Sequence, residues 1–93
     1  MRFKKEKLVS DLQARFAQAQ QDVNALPARP DNDTLLKLYA LFKQASKGDA
    51  AGERPGAFDF VAGAKFDAWA ALKGTSTEAA MQEYIALVTS LRG

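Results

Sequence analysis

Tyr39 and Lys43 stand four positions apart in the stretch LLKLYALFKQASKGD, residues 35–49. On a helix, that spacing puts a phenol and an ammonium on one side, a turn apart. The same stretch repeats apolar residues as a buried helix face does, at Leu35, Leu38, Tyr39, Phe42 and Ala45. A hydroxyl donor and a fixed cation beside an apolar stripe raise the question of a binding site. Each residue also has a plain structural reading. Tyrosine commonly lies at the edge of a core, and lysine lays its methylenes over apolar surface while its charge stays wet. Lys65, just before Phe66, and Tyr84, within an apolar stripe of its own, belong to the same inventory. They make a site if they converge in space, and spacing alone does not decide that.

Other chemistries are poorly served. The chain has neither cysteine nor histidine, which removes disulfides, the usual zinc sets, thiol nucleophiles and serine–histidine triads. No Asp-rich segment has the spacing of a calcium loop. No metal site and no catalysis are therefore expected. GERPG, residues 52–56, lacks the lysine and hydroxyl of a phosphate-cradling loop and reads as a structural turn. A formal charge of +2 is too small to indicate nucleic-acid binding. The basic opening MRFKKEK reads as a solvated terminus in preference to a nucleic-acid or membrane tether. No apolar run approaches the roughly 20 residues of a membrane span, and no signal-peptide core follows the basic start. Residence in the cytoplasm is expected, without stable membrane insertion.

Positioning these groups falls to helices. At 93 residues, 47% hydrophobic and 26% charged, the chain is expected to form one globular domain over residues 1–93. Four helical segments and no convincing strand can be read. The first carries Leu8, Leu12, Phe16, Ala19, Val23 and Leu26 and stops before Pro27 and Pro30. The second opens at Asp31 as N-cap, with Asp33 in its first turn, and ends at Gly48 in a left-handed cap. Residues 49–60 form a long loop whose Phe58 and Phe60 are expected to fold back onto the helices. The third helix spans roughly Val61 to Lys73, with Phe66, Trp69, Ala70 and Leu72 as its apolar set and Trp69 in the core. Thr75 and Glu78 have capping-box spacing ahead of the fourth helix, with Ser76 as the competing N-cap. Met81, Tyr84, Ile85, Val88 and Leu91 continue it.

Six short motifs occur in order: Y-x-x-F-K-Q-A at Tyr39–Ala45, G-D at Gly48–Asp49, E-R-P-G at Glu53–Gly56, K-F-D-A-W at Lys65–Trp69, L-K-G-T-S at Leu72–Ser76 and A-M-x-x-Y at Ala80–Tyr84. In this set the chain resembles the acyl-CoA-binding protein family, from roughly Leu12 to Leu91 without a gap. Residues 1–10 form an N-terminal extension outside the similarity. The resemblance implies an all-α, four-helix up-down-down-up bundle. It implies a monomeric intracellular carrier of medium- to long-chain fatty acyl-CoA esters that performs no catalysis and needs no cofactor. By position, Tyr39, Phe42, Lys43, Lys65 and Tyr84 would surround the 3′-phosphorylated nucleotide head, and Leu35, Leu36 and Ala64 would line the acyl-chain groove. Asn24 and Val61 stand where the family often has lysines, and Phe66 where it often has tryptophan, while Arg29 keeps a basic position. The missing lysines motivate an alternative, a helical interaction module that has lost the ligand site.

Overall fold

The structure, a computed structural model, describes the backbone of residues 2–93 and the side chains of residues 11–93. The side chains of MRFKKEK and of Leu8 therefore lie outside the described residues. Four helices follow one another: α1 (Arg2–Asn24), α2 (Asn32–Lys47), α3 (Phe60–Ala70) and α4 (Thr77–Arg92), with no strand among the described residues. Helix α4 packs against α1 and α2, whereas α3, among the described residues, packs against α2 alone.

The core explains that arrangement. Phe16 and Ala19 of α1, Leu38, Leu41 and Ala45 of α2, and Ala80, Tyr84 and Val88 of α4 form one buried cluster. No residue of α3 belongs to it, although that helix is the most apolar of the four and buries only Gly63. The buried arc of α2 runs Leu38, Ala40, Leu41, Gln44 and Ala45, which shifts the stripe read from spacing. Tyr39 is half-buried and Phe42 is exposed. Helix α2 has neighbours on two sides, so its apolar arc is wider than one stripe, and Leu35, Leu36 and Tyr39 turn toward α3.

Helix ends follow local chemistry. Asp31 caps α2, its Oδ1 accepting the Thr34 N–H at 2.8 Å. Gly48 ends α2 with φ +80° and ψ −151°. That is a glycine-only conformation but not the left-handed helical cap expected from the sequence. Ser76, not Thr75, caps α4, its Oγ accepting the Ala79 N–H at 3.0 Å. Helix α1 ends two residues earlier than its apolar pattern, because Ala25 and Leu26 bond to the carbonyls of Asp22 and Val23 in tighter turns before Pro27. Likewise α3 stops at Ala70, and Leu72 and Lys73 bond three residues back, to Trp69 and Ala70.

Two polar clusters hold the connections. Gln44 is fully buried, and its Nε2 donates to Asp49 Oδ1 and to the Thr75 carbonyl, each at 2.8 Å. The Gly74 N–H donates to the same Asp49 oxygen at 2.9 Å, so the end of α2, the start of the loop and the α3–α4 turn meet at one point. These bonds, the backbone one first, hold the Asp49 carboxyl below its ordinary value. Turning the Gln44 amide over would set its oxygen against two acceptors, which fixes its orientation; Oε1 meets no donor among the described residues. Within the loop, Arg54 grips Asp67 through Nε and Nη2, both at 2.9 Å, and lies across α3 at Gly63. A Cβ at position 63 would sit 2.9 Å from Arg54 Nη2, so a larger residue there would make the exposed guanidinium shift.

The loop does not bring its phenylalanines home. Phe58 is 95% exposed and Phe60 78%, contrary to the expectation that both fold back. The anchor is the charged Arg54–Asp67 pair, and it leaves the aromatic end of the loop facing outward.

Candidate functional site

Between α2 and α3 lies a cavity of about 660 Å³. Its greasy wall is built from Leu35 and Leu36 of α2 and from Phe60, Val61 and Ala64 of α3. Its polar edge consists of Arg29 and Asn32, either side of the Pro30 turn, with Tyr39 and Lys65. The size suits a small organic ligand, and the lining has the usual form of such sites, mostly apolar with a few placed polar groups.

Helical register places these groups. Leu35, Leu36 and Tyr39 recur at spacings of three and four on α2, and Val61, Ala64 and Lys65 do so on α3. The Lys65 Nζ stands 5.2 Å from the centre of the Tyr39 ring, a cation–π contact across the two helices. Lys43, one turn beyond Tyr39, is not on the cavity wall. Its Nζ lies 4.8 Å from the centre of the Trp69 ring on α3. Trp69 in turn donates from Nε1 to the Gly48 carbonyl at 2.8 Å. It is half-buried, so it is a tie between α3 and the end of α2, not the core residue expected from its spacing. Neither Lys43, Lys65 nor Arg29 has a carboxylate within ion-pair distance among the described residues, where the pairs are Arg54–Asp67 and Arg92–Asp22.

Phe42 and Tyr84 sit elsewhere. Phe42 is 37% exposed and stacks on Phe16 with ring centres 6.2 Å apart. Tyr84, 4% exposed, meets the same Phe16 ring edge-on at 5.1 Å. Burial pushes the Tyr84 phenol above its ordinary pKa, so the hydroxyl stays protonated at neutral pH. Neither residue lines the α2–α3 cavity. The structure thus brings Tyr39, Lys65, Leu35, Leu36 and Ala64 to one cavity, holds Lys43 over Trp69 of α3, and puts Phe42 and Tyr84 around Phe16.

Asn32, Phe60 and Val61 line the cavity without having been singled out as site residues, and Trp69 was missed as the seat of Lys43. Asn32 begins a helix, where periodicity carries no signal. Phe60 and Val61 belong to the loop-to-helix junction, whose direction spacing cannot fix. Asn24 lines a separate hollow of about 370 Å³ that shares Arg29 and Leu35 with the main cavity. No group of three or more His, Cys, Asp or Glu able to hold a metal occurs among the described residues. No helix among them is long and apolar enough to cross a membrane.

Comparison with known proteins bears directly on this geometry. The family model described as Acyl CoA binding protein matches residues 13–88. The acyl-CoA-binding protein of Saccharomyces cerevisiae is 50% identical over 76 residues, covering 82% of this chain and 87% of that protein. The crystal structure of Oryza sativa acyl-CoA-binding protein 2 superposes with a TM-score of 0.82 at 40% identity, covering 86% of this chain and 89% of that one. Enoyl-CoA delta isomerase 2 of Rattus norvegicus is 47% identical over 79 residues, but the match covers only 20% of that protein against 85% of this chain.

Proposed function

Since the chain belongs to the acyl-CoA-binding protein family, we propose that it binds medium- to long-chain fatty acyl-CoA esters and carries them through the cytosol as a monomer, without chemical change. The observation that carries this reading is the cavity between α2 and α3, apolar along its wall and edged by Tyr39, Lys65 and Arg29. Helix α3 is rich in apolar residues yet contributes nothing to the core. A fatty chain lying along it supplies the packing it lacks.

The ligand has a long apolar tail and a phosphorylated head. At about 0.8 kcal/mol per buried methylene, ten methylenes give roughly 8 kcal/mol before ordering costs. A charged hydrogen bond adds on the order of 1.5–3 kcal/mol. The tail therefore dominates affinity, and the head-group contacts separate a CoA ester from a free fatty acid. In this reading Leu35, Leu36 and Ala64, with Phe60 and Val61, hold the tail. Tyr39, Lys43 and Lys65 take the phosphates, with Arg29 as a further cation. Phe42 offers an exposed ring on the same helix, and Tyr84 backs it through Phe16. The whole chain, residues 1–93, acts as one binding domain.

Isothermal titration with palmitoyl-CoA, palmitate and CoA in parallel tests the proposal. Saturable heat with the ester, and much weaker binding of either fragment, is the expected result. No heat from any of the three points instead to a helical interaction module.

A further inference from the structure

Phe58, Phe60 and Val61 are 95%, 78% and 68% exposed and fall within four consecutive positions. Single exposed apolar residues are ordinary, but a cluster of large ones at one corner marks a contact surface. Phe60 and Val61 stand on the wall of the α2–α3 cavity, and Phe58 lies outside it. Asp59 between them is exposed and caps α3, its Oδ1 accepting the Ala62 N–H at 3.1 Å, which sets its charge against the positive end of that helix. Flanking the rings on the same cavity are Arg29 and Lys65, with no carboxylate within ion-pair distance among the described residues.

An apolar wedge with cations at its shoulders matches an anionic lipid surface. Its rings enter the acyl boundary while the charges stay with the headgroups. We infer that residues 58–61 dock the protein reversibly on anionic membranes, with the cavity mouth toward the bilayer. A fatty chain leaving the lipid then enters the groove without crossing open water. Docking needs only the rim; the transfer it serves rests on the acyl-CoA reading above. A second copy of the chain is a poorer occupant, because a stable interface buries about 800 Å² on each partner, far more than three side chains at one turn present.

The test is co-sedimentation of the full chain with vesicles of phosphatidylcholine alone and of equal parts phosphatidylcholine and phosphatidylserine. Each variant is also titrated with palmitoyl-CoA in vesicle-free buffer. Binding to the anionic vesicles that far exceeds binding to the neutral ones is expected. Phe58→Ser should lower the partition constant about tenfold, as expected for a phenyl group no longer leaving water, with an unchanged circular dichroism spectrum and an unchanged palmitoyl-CoA titration. Docking by a wild type that fails to bind palmitoyl-CoA would keep this inference and remove the carrier reading. Palmitoyl-CoA binding with no sedimentation on either vesicle would overturn it. So would a Phe58→Ser variant that sediments like wild type, or a dimer that the substitution dissolves without any lipid binding.

Discussion

At the scale of the residue, both lysines named for the head group rest on aromatic rings of the opposite helix. Lys43 of α2 lies over Trp69 of α3, and Lys65 of α3 over Tyr39 of α2. Each cation is held close to where a phosphate is proposed to arrive, and neither is tied up by a carboxylate among the described residues. Removing one charge-assisted contact of about 1.5–3 kcal/mol corresponds to a ten- to hundredfold loss of affinity, at roughly 1.4 kcal/mol per decade. Lys43→Ala is therefore expected to raise the palmitoyl-CoA dissociation constant by about that factor in calorimetry while its thermal unfolding stays close to wild type. An unchanged titration would remove Lys43 from the site. The types and register of Tyr39 and Lys65 could be read from the sequence, but their juxtaposition could not, since it depends on how two helices separated by a long loop come to face each other. Trp69 was misread for the same reason. Its spacing announces an apolar face without saying that the face ends against the Gly48 carbonyl.

At the scale of the element, all four helices were legible from apolar steps of three and four, helped by Asp31 ahead of α2 and prolines after α1, whereas the Asp59 cap of α3 went unread. The ends were less so. Thr75 and Ser76 both offered a cap for α4, and the bond to Ala79 belongs to Ser76. Ser76→Ala should accordingly lower stability by about 1 kcal/mol, the usual weight of a lost N-cap. Thr75→Ala should change it by much less in urea unfolding, since only the Thr75 carbonyl, which the substitution leaves in place, takes part in the Gln44 cluster. Equal costs for the two would mean that the capping box competes after all. The loop was legible as a loop, but its polarity was not. Two phenylalanines in sequence suggest burial, yet the bidentate Arg54–Asp67 pair fixes the loop and leaves both rings outside.

At the scale of the whole molecule, three helices share a core and the fourth does not. Helix α3 is joined to the rest through α2, the Trp69–Gly48 bond and the loop. Local opening is drawn from regions with few buried apolar contacts, so α3 should exchange its amides faster than α2 or α4. A ligand that binds only the folded state stabilises it by about 2.7 kcal/mol at a hundredfold excess over its dissociation constant. With palmitoyl-CoA at that excess, the melting temperature should rise by roughly 10 °C or more. The gain in hydrogen-exchange protection should be largest across residues 60–70. Protection spread evenly over all helices would argue against a ligand lodged between α2 and α3. Composition and pattern make the bundle readable, but they do not reveal that one helix stands apart, because an apolar helix reads alike whether it faces a core or an empty groove.

Arg54, Gly63 and Asp67 meet where the loop crosses α3. The guanidinium passes 2.9 Å from where a Cβ at position 63 would stand and is held by the Asp67 carboxylate. A side chain at position 63 makes the arginine shift, which costs little because its guanidinium is the exposed end of a flexible side chain, and water replaces either partner of an exposed ion pair, so each of the three positions can change on its own.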